Sequence, residues 1–323
     1  MSLQQHLPVL LVVLPLLSAP LTVLLRNRTL AFGVVCAASW VGLVISILIW
    51  QQVQVSGTIS YEIGSWAPPL GIEYRVDQLS AFVLVLVSAI AALVVPYSRA
   101  SIETEVPTEQ HYLFYTMFAL CLTGLLGITI TGDAFNIFVF LEVSSLATYV
   151  LIALGQNRRA LLASYQYLIM GTIGATLLVI GIGFLYLMTG SLNLVDISNR
   201  LGDLNASRPV LVALAFITVG VSLKLALFPL HQWLPNAYTY APSSVSSFLA
   251  ATATKVAIYV LLRFYFSVFD HTIIFGALPL QAILMALALA GMFAASTIAI
   301  FQSDLRRLFA FSSVGQVGYI ILG

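Results

Sequence analysis

The stretch SLKLALFPLHQWLPNAYTYAPSSVSSFLAATATKVAIYVLLR, residues 222–263, holds both lysines of this 323-residue chain, Lys224 and Lys255, each in the middle of an apolar run. The other basic side chains are arginines gathered at the ends of such runs. An ionisable side chain at bilayer depth costs roughly 2.5–3.5 kcal/mol on insertion scales, and where one is retained it marks an ion path, a proton relay or a counter-ion pair. Glu142 sits in the same way inside a third run and offers the opposite charge.

Working outward from this stretch, 60% of the residues are hydrophobic and 8% charged, against roughly 45–50% and about 25% in soluble domains. The chain is therefore a polytopic membrane protein rather than a water-soluble globule. Backbone groups in lipid must be bonded within their own segment or around a closed barrel, and apolar runs of about 20 residues without alternation are helices. Hydropathy places spans near residues 7–25, 29–50, 78–98, 111–131, 134–154, 161–189, 209–229, 244–268 and 276–301, with a tenth starting near Leu305. The first is read as a membrane helix and not a cleaved signal peptide, since it lacks a basic leader and carries Pro8, Pro15 and Pro20.

One face collects Arg26, Arg28, Arg99, Arg158, Arg159, Arg306 and Arg307, the other Arg75, Arg200, Arg208 and Arg263. This bias puts the first face in the cytoplasm and the N-terminus outside. On the outer side, residues 51–77 alternate polar and apolar around Gly64 and the Pro68-Pro69 pair, which predicts a β-hairpin. Residues 190–208 form the other polar loop. Cys36 and Cys121 fall inside apolar runs and are packing residues, not a disulfide or a metal site. The net charge of +1 says nothing about partners. No residue pattern calls for a cofactor, a metal or a nucleic acid.

Proline removes a backbone donor and clashes with the preceding turn, so the seventh span should break at Pro229 and expose free carbonyls, followed by a short amphipathic piece from His231 to Pro242. Broken helices of this kind face ions in transporters. At 100° per residue, Ser244, Ser247, Thr252, Lys255, Tyr259 and Arg263 fall on one side of the eighth span, a polar stripe through the bilayer. Arg263 is expected to snorkel to water at its outer end. In the fifth span Glu142, Ser145 and Tyr149 share a face, and Gly220 would let another backbone approach Lys224. Burial disfavours an ammonium and a nearby carboxylate restores it, so Glu142 and Lys224 read as a protonation switch, with Lys255 as relay and hydroxyls between. A static interhelical ion pair is the plainer alternative. His231 could titrate near neutral pH or serve as an ordinary hydrogen-bonding residue; His6, His111 and His271 lie at span ends and take no role.

Three stretches resemble the antiporter-type subunits shared by Mrp-type sodium/proton antiporters, the membrane arm of NADH:quinone oxidoreductase and membrane-bound hydrogenases. They are TGDAFNIFVFLEVSSLATYVLIA (131–153), residues 222–263, and SDLRRLFAFSSVGQVGYIILG (303–323). TGDAFNIFVFLEV and the outer segment GSWAPPLGIEYRVDQLSA look most similar to the D-type subunit of Mrp-type antiporters, and WLPNAY stands where many quinone-oxidoreductase relatives have WLPDAH. The resemblance implies an all-α integral membrane bundle with a discontinuous seventh helix and inverted five-helix repeats. Residues 1–110 would form three N-terminal helices with the outer hairpin, 111–270 the first repeat, and 271–323 the start of a second, cut off in the tenth helix. The family's gating ion pair falls on Glu142 and Lys224, its relay on Lys255, and its helix break on Pro229. The implied function is proton translocation coupled to sodium efflux in a multisubunit complex of a bacterial cytoplasmic membrane, with no redox centre, cofactor or metal in this chain. A proton-pumping subunit of a respiratory or hydrogenase complex is the alternative, and a structural scaffold a third reading. A transporter subunit is not itself an enzyme; in a respiratory complex it would be a translocase component.

Overall fold

The computed structural model describes residues 3–202, 207–269 and 279–323. His271, and the boundary expected between residues 270 and 271, lie outside them. Among the described residues the spans are α1 (Leu7–Leu25), α2 (Arg28–Ser56), α3 (Gln78–Glu105), α4 (His111–Ile130), α5 (Ala134–Ala153) and α6 (Arg158–Thr189). They continue, after a short surface helix α7 (Leu194–Leu201), with α8 (Arg208–Leu225), α9 (Trp233–Tyr240), α10 (Ser243–Arg263), α11 (Leu280–Ile300) and α12 (Leu305–Leu322). Nine of these segments are long and apolar enough to cross a membrane. The tenth segment, α12, is helical from the expected residue but falls short of that mark, with Arg306 and Arg307 in its first turn.

Local chemistry sets where the helices start. The side chains of Asn27, Asp77, Asp133, Asn157, Asn193 and Asp304 each accept a backbone N–H of the following first turn, satisfying donors that a new helix leaves orphaned. The polar connections thus punctuate the hydropathy pattern chemically. Gly57 and Gly190 close α2 and α6 with positive φ, which glycine adopts without steric cost.

On the outer loop the strands β1 (Ile59–Glu62) and β2 (Glu73–Val76) pair antiparallel, Ile59 opposite Val76 and Glu62 opposite Glu73. The expected hairpin is present but narrower than residues 51–77, because α2 runs on through Ser56. Helical hydrogen bonding continues past the point where apolar composition fades. The hairpin is stitched down by an isolated bridge from Tyr74 to Thr131 and by the contact of His6 Nδ1 with Tyr61 Oη at 3.0 Å. In the other polar loop α7 was not foreseen, although Leu194, Ile197 and Leu201, its buried residues, carry helical spacing.

The core is continuous, and α4 is its centre: most of its side chains are buried, whereas α2, α6 and α11 keep large apolar faces exposed. Between α6 and α8 the backbones nearly touch. A Cβ on Gly220 would lie 2.6 Å from the Gly174 carbonyl oxygen, and one on Gly174 would lie 3.0 Å from that of Gly220. Without a hydrophobic force between helices in lipid, association rests on such close packing of small residues. Gly220→Val is therefore expected to push α8 off α6, at an overpacking cost of about 1–3 kcal/mol. The check is the amount of detergent-extracted protein and its melting temperature; an unchanged melting temperature would refute the close-crossing account.

Candidate functional site

The site begins where α8 stops. Lys224 is the penultimate residue of α8, and Ala226 directly after it takes a left-handed conformation (φ 59°), which costs an L-residue other than glycine roughly 1–2 kcal/mol. The chain then turns through residues 226–232 before α9. The helix thus breaks before Pro229, which lies inside the turn rather than at the point of rupture. The proline excludes a continuous helix, but the backbone yields one turn earlier, where Ala226 caps. Nor are the freed carbonyls left bare. Trp233 Nε1 donates to the Leu223 oxygen at 2.9 Å, and the Leu227 N–H donates to the Ser222 oxygen at 3.0 Å. Buried carbonyls without water must find internal donors, and here the indole of the next helix is one.

Lys224 is only 7% exposed. Its ammonium donates to Ser145 Oγ at 2.7 Å and lies 3.7 Å from Glu142 Oε1. The spacing to Glu142 is that of an ion pair rather than a short hydrogen bond. Tyr149 completes the group from one face of α5. A Cβ placed on Gly171, near the middle of α6, would overlap Tyr149 Oη and lie 3.4 Å from Lys224 Nζ. Beside the ammonium is a cavity of about 30 Å³, walled by Ser144, Ser145, Thr148 and Tyr167 and, from α4 and α10, by Leu125, Ile128, Val256 and Val260. A water needs about 10–15 Å³ of such space together with polar partners. The cavity has both. Tyr167 is stacked on Trp233, with ring centroids 4.0 Å apart, so the indole that caps α8 also braces the cavity wall.

The other expected residues lie apart from this group. Lys255 is half-buried and turns back along its own helix, donating to the Ala250 oxygen at 2.6 Å; it does not line the Lys224 cavity. Tyr259 lies toward the hairpin side, donating to the Thr129 oxygen at 2.9 Å and accepting from Arg263. The stripe on the eighth span therefore divides: Ser247 and Lys255 sit at its open edge, while Ser244, Thr252, Tyr259 and Arg263 are buried. A helical wheel gives the angle of each side chain but not where neighbours stand. His231 is buried in the turn before α9, stacked on Phe228 at 5.3 Å and edge-on to Phe311 of α12 at 6.4 Å.

Arg263 does not snorkel. It is 9% exposed and clasps Asp77 with two bonds of 2.6 and 2.9 Å. Burial would raise the Asp77 carboxyl, but the Arg263 guanidinium and the Ser80 backbone and side-chain donors outweigh it and hold the group at about 2. A carboxylate depressed on folding contributes stability that is fully present above its unfolded value, near 4, and is lost as pH falls through the folded value. Melting temperature is accordingly expected to fall between about pH 4 and pH 2, with Asp77→Asn removing that part of the fall. A variant melting profile identical to that of the parent would contradict this assignment.

Sequence reasoning passed over Gly171, whose signal was a glycine in the sixth span with no turn to explain it, and Asp77, which opens α3 as an ordinary cap. It also missed Trp233 as a carbonyl cap, though the residue stands in the quoted stretch.

The chain is similar to known membrane proteins over most of its length. The NADH-quinone oxidoreductase subunit N of Desulforudis audaxviator is 43% identical over 98% of this chain and 63% of its own length. The D-type subunit of a Na(+)/H(+) antiporter of Alkalihalophilus pseudofirmus is 30% identical over 87% of this chain and 56% of its own length. A chain in the structure of the membrane-bound sulfane sulfur reductase, an archaeal respiratory membrane complex, superposes with a TM-score of 0.91 at 29% identity, covering 98% of this chain and 64% of that one. The chain thus spans somewhat more than half the length of the relatives it matches. Residues 131–323, which include Glu142, Lys224 and Lys255, match the transmembrane family of NADH:quinone oxidoreductases and Mrp antiporters, and the chain belongs to that family.

Proposed function

We propose that the chain is a proton-translocating membrane subunit of a multisubunit monovalent cation/proton antiporter, with sodium as the exchanged cation. The observation that carries this reading is the buried Lys224 ammonium, set between Ser145 and Glu142 beside a cavity lined in part by hydroxyls. An ammonium in low dielectric is held by its counter-charge, so moving Glu142 away favours release of the proton and restoring it favours uptake. Ser145 and the neighbouring hydroxyls supply donor and acceptor positions for waters that hand the proton on. Lys255 continues the path on α10, and its separation from the Lys224 cavity requires either a water-filled link or movement of the α8–α9 turn. The helix break at Ala226 provides a place for such movement, since a broken helix leaves few backbone bonds to lose.

The setting we infer is a bacterial cytoplasmic membrane, with the N-terminus and hairpin outside and the other subunits of a hetero-oligomeric complex alongside. Residues 111–270 are proposed as one five-helix repeat and 271–323 as the opening of an inverted second. A pump subunit of a respiratory complex is the second reading, favoured by the 43% identity to a quinone oxidoreductase subunit. Expression of the whole complex in cells lacking sodium/proton antiporters separates the two. Sodium-dependent pH change in inverted vesicles supports the antiporter, and proton movement that requires quinone reduction instead supports the pump. Lys255→Ala is expected to slow either activity by at least about 100-fold, as for a proton-transfer group; near-parental transport at equal abundance would remove Lys255 from the path.

A further inference from the structure

At the end of the bundle away from the hairpin, the start of α2 and the end of α3 meet over a small cavity whose wall includes Arg28, Phe32, Arg99, Glu103, His111 and Tyr115. The Arg99 guanidinium lies over the Phe32 ring, 5.5 Å from its centroid, and Arg28 stands one helical turn before Phe32 on the same face of α2. Two cations from two helices thus flank one ring. Both arginines are exposed, whereas His111 and Tyr115, which close the floor from α4, are buried. Tyr115 meets Phe32 edge-on at 5.7 Å and His111 Nε2 donates to the Val106 oxygen at 3.0 Å, so the floor is fixed. The cavity measures about 20 Å³, room for one water-sized atom and not for a whole headgroup. Neither arginine has an ion-pair partner among the described residues, unlike Arg263 with Asp77 and Arg306 with Glu105. Glu103 is the one carboxylate of the wall and leaves it with an excess of positive charge. Beside the cavity the helices present exposed apolar side chains, Leu30 on α2 and Leu93 and Tyr97 on α3.

We propose that this cleft binds an anionic phospholipid, its phosphate clamped between Arg28 and Arg99 with one oxygen directed into the cavity, and its acyl chains along the apolar surface of α2 and α3. The planar fork of a guanidinium matches phosphate oxygens in pairs, and basic pockets between membrane helices take anionic headgroups. Tyr97 marks the depth, since amphipathic rings collect at the level of the headgroups. A soluble anion would leave the apolar flank unused. A zwitterionic lipid would bring its own cation against two unpaired arginines. The site lies apart from Glu142 and Lys224, and the inference is independent of their reading as a proton switch.

The test reconstitutes the assembled complex with a phosphatidylglycerol that carries a diazirine close to its glycerol backbone, and maps the photolabelled peptides by mass spectrometry, per assembled complex. Labelling is expected at the start of α2 and the end of α3. Unlabelled phosphatidylglycerol should displace it, and phosphatidylcholine or free glycerol phosphate at the same concentration should not. Arg28→Gln and Arg99→Gln should each lower labelling there about fivefold, the change that about 1 kcal/mol per basic side chain gives. Arg158→Gln with Arg159→Gln, which removes two arginines elsewhere on the arginine-rich side, should leave it unchanged. Equal displacement by phosphatidylcholine would make the cleft an ordinary lipid contact, and equal displacement by glycerol phosphate a pocket for a soluble anion; either result overturns the proposal. An equal loss in the Arg158 and Arg159 variant overturns it as well, since the attraction would then belong to the whole charged face. The displacement measurements use the parent protein and decide the matter even where the glutamine variants fail to assemble.

Discussion

Glu142→Gln is expected to abolish cation-dependent proton movement, a loss of at least about 100-fold, while the protein remains inserted and assembled. The amide keeps the shape and volume of the side chain, so packing of α5 against its neighbours is retained. What it cannot do is hold a negative charge 3.7 Å from the Lys224 ammonium. Ser145 continues to accept the hydrogen bond at 2.7 Å, and this explains why assembly should survive: the ammonium retains one good partner. Deprived of the carboxylate, however, the buried lysine no longer gains from being protonated, and the equilibrium that a moving counter-charge would swing is fixed in one position. The measurement is sodium-dependent pH change in inverted vesicles, with immunoblotting of the complex. Transport close to the parent at normal abundance would make the pair a static tie between α5 and α8.

The second large effect is expected at a residue with no chemistry of its own. Gly171→Ala places a methyl group onto the Tyr149 hydroxyl and 3.4 Å from Lys224 Nζ, so the Tyr149 ring must shift. Displacing Tyr149 shifts the face of α5 that also carries Ser145 and Glu142, and a misplacement of about 1 Å in a positioned group costs on the order of 100-fold in rate. Tyr149→Phe removes the atom that meets the new methyl. The double variant Gly171→Ala with Tyr149→Phe should therefore be faster than Gly171→Ala alone, an interaction between contacting sites that additivity forbids. Equal rates for the single and double variants would show that the glycine serves helix packing generally and not the geometry of the site.

Much of the architecture was written in local patterns. The membrane spans follow from hydropathy, their starts from Asn and Asp caps, and the hairpin from alternation around the paired prolines. The expectation that Gly220 admits a neighbouring backbone is met by Gly174 of α6. Two departures share a cause. Taken by its own preference, Pro229 marks the helix break and Arg263 reaches water, whereas the backbone yields at Ala226 and Asp77 reaches over from the start of α3.

Composition and periodicity by themselves determined that this chain is a multi-pass membrane protein and that Glu142, Lys224 and Lys255 fall inside its apolar segments. These are properties of single helices, and the sequence states them directly. Tertiary structure alone decided which charges meet. Glu142, Ser145 and Lys224 converge beside Gly171, while Lys255 turns aside and Tyr259 joins the hairpin-side cluster. The reason is physical: in lipid, helix rotation and pairing are set by close packing between small residues, a contact of fractions of an ångström to which hydropathy is blind.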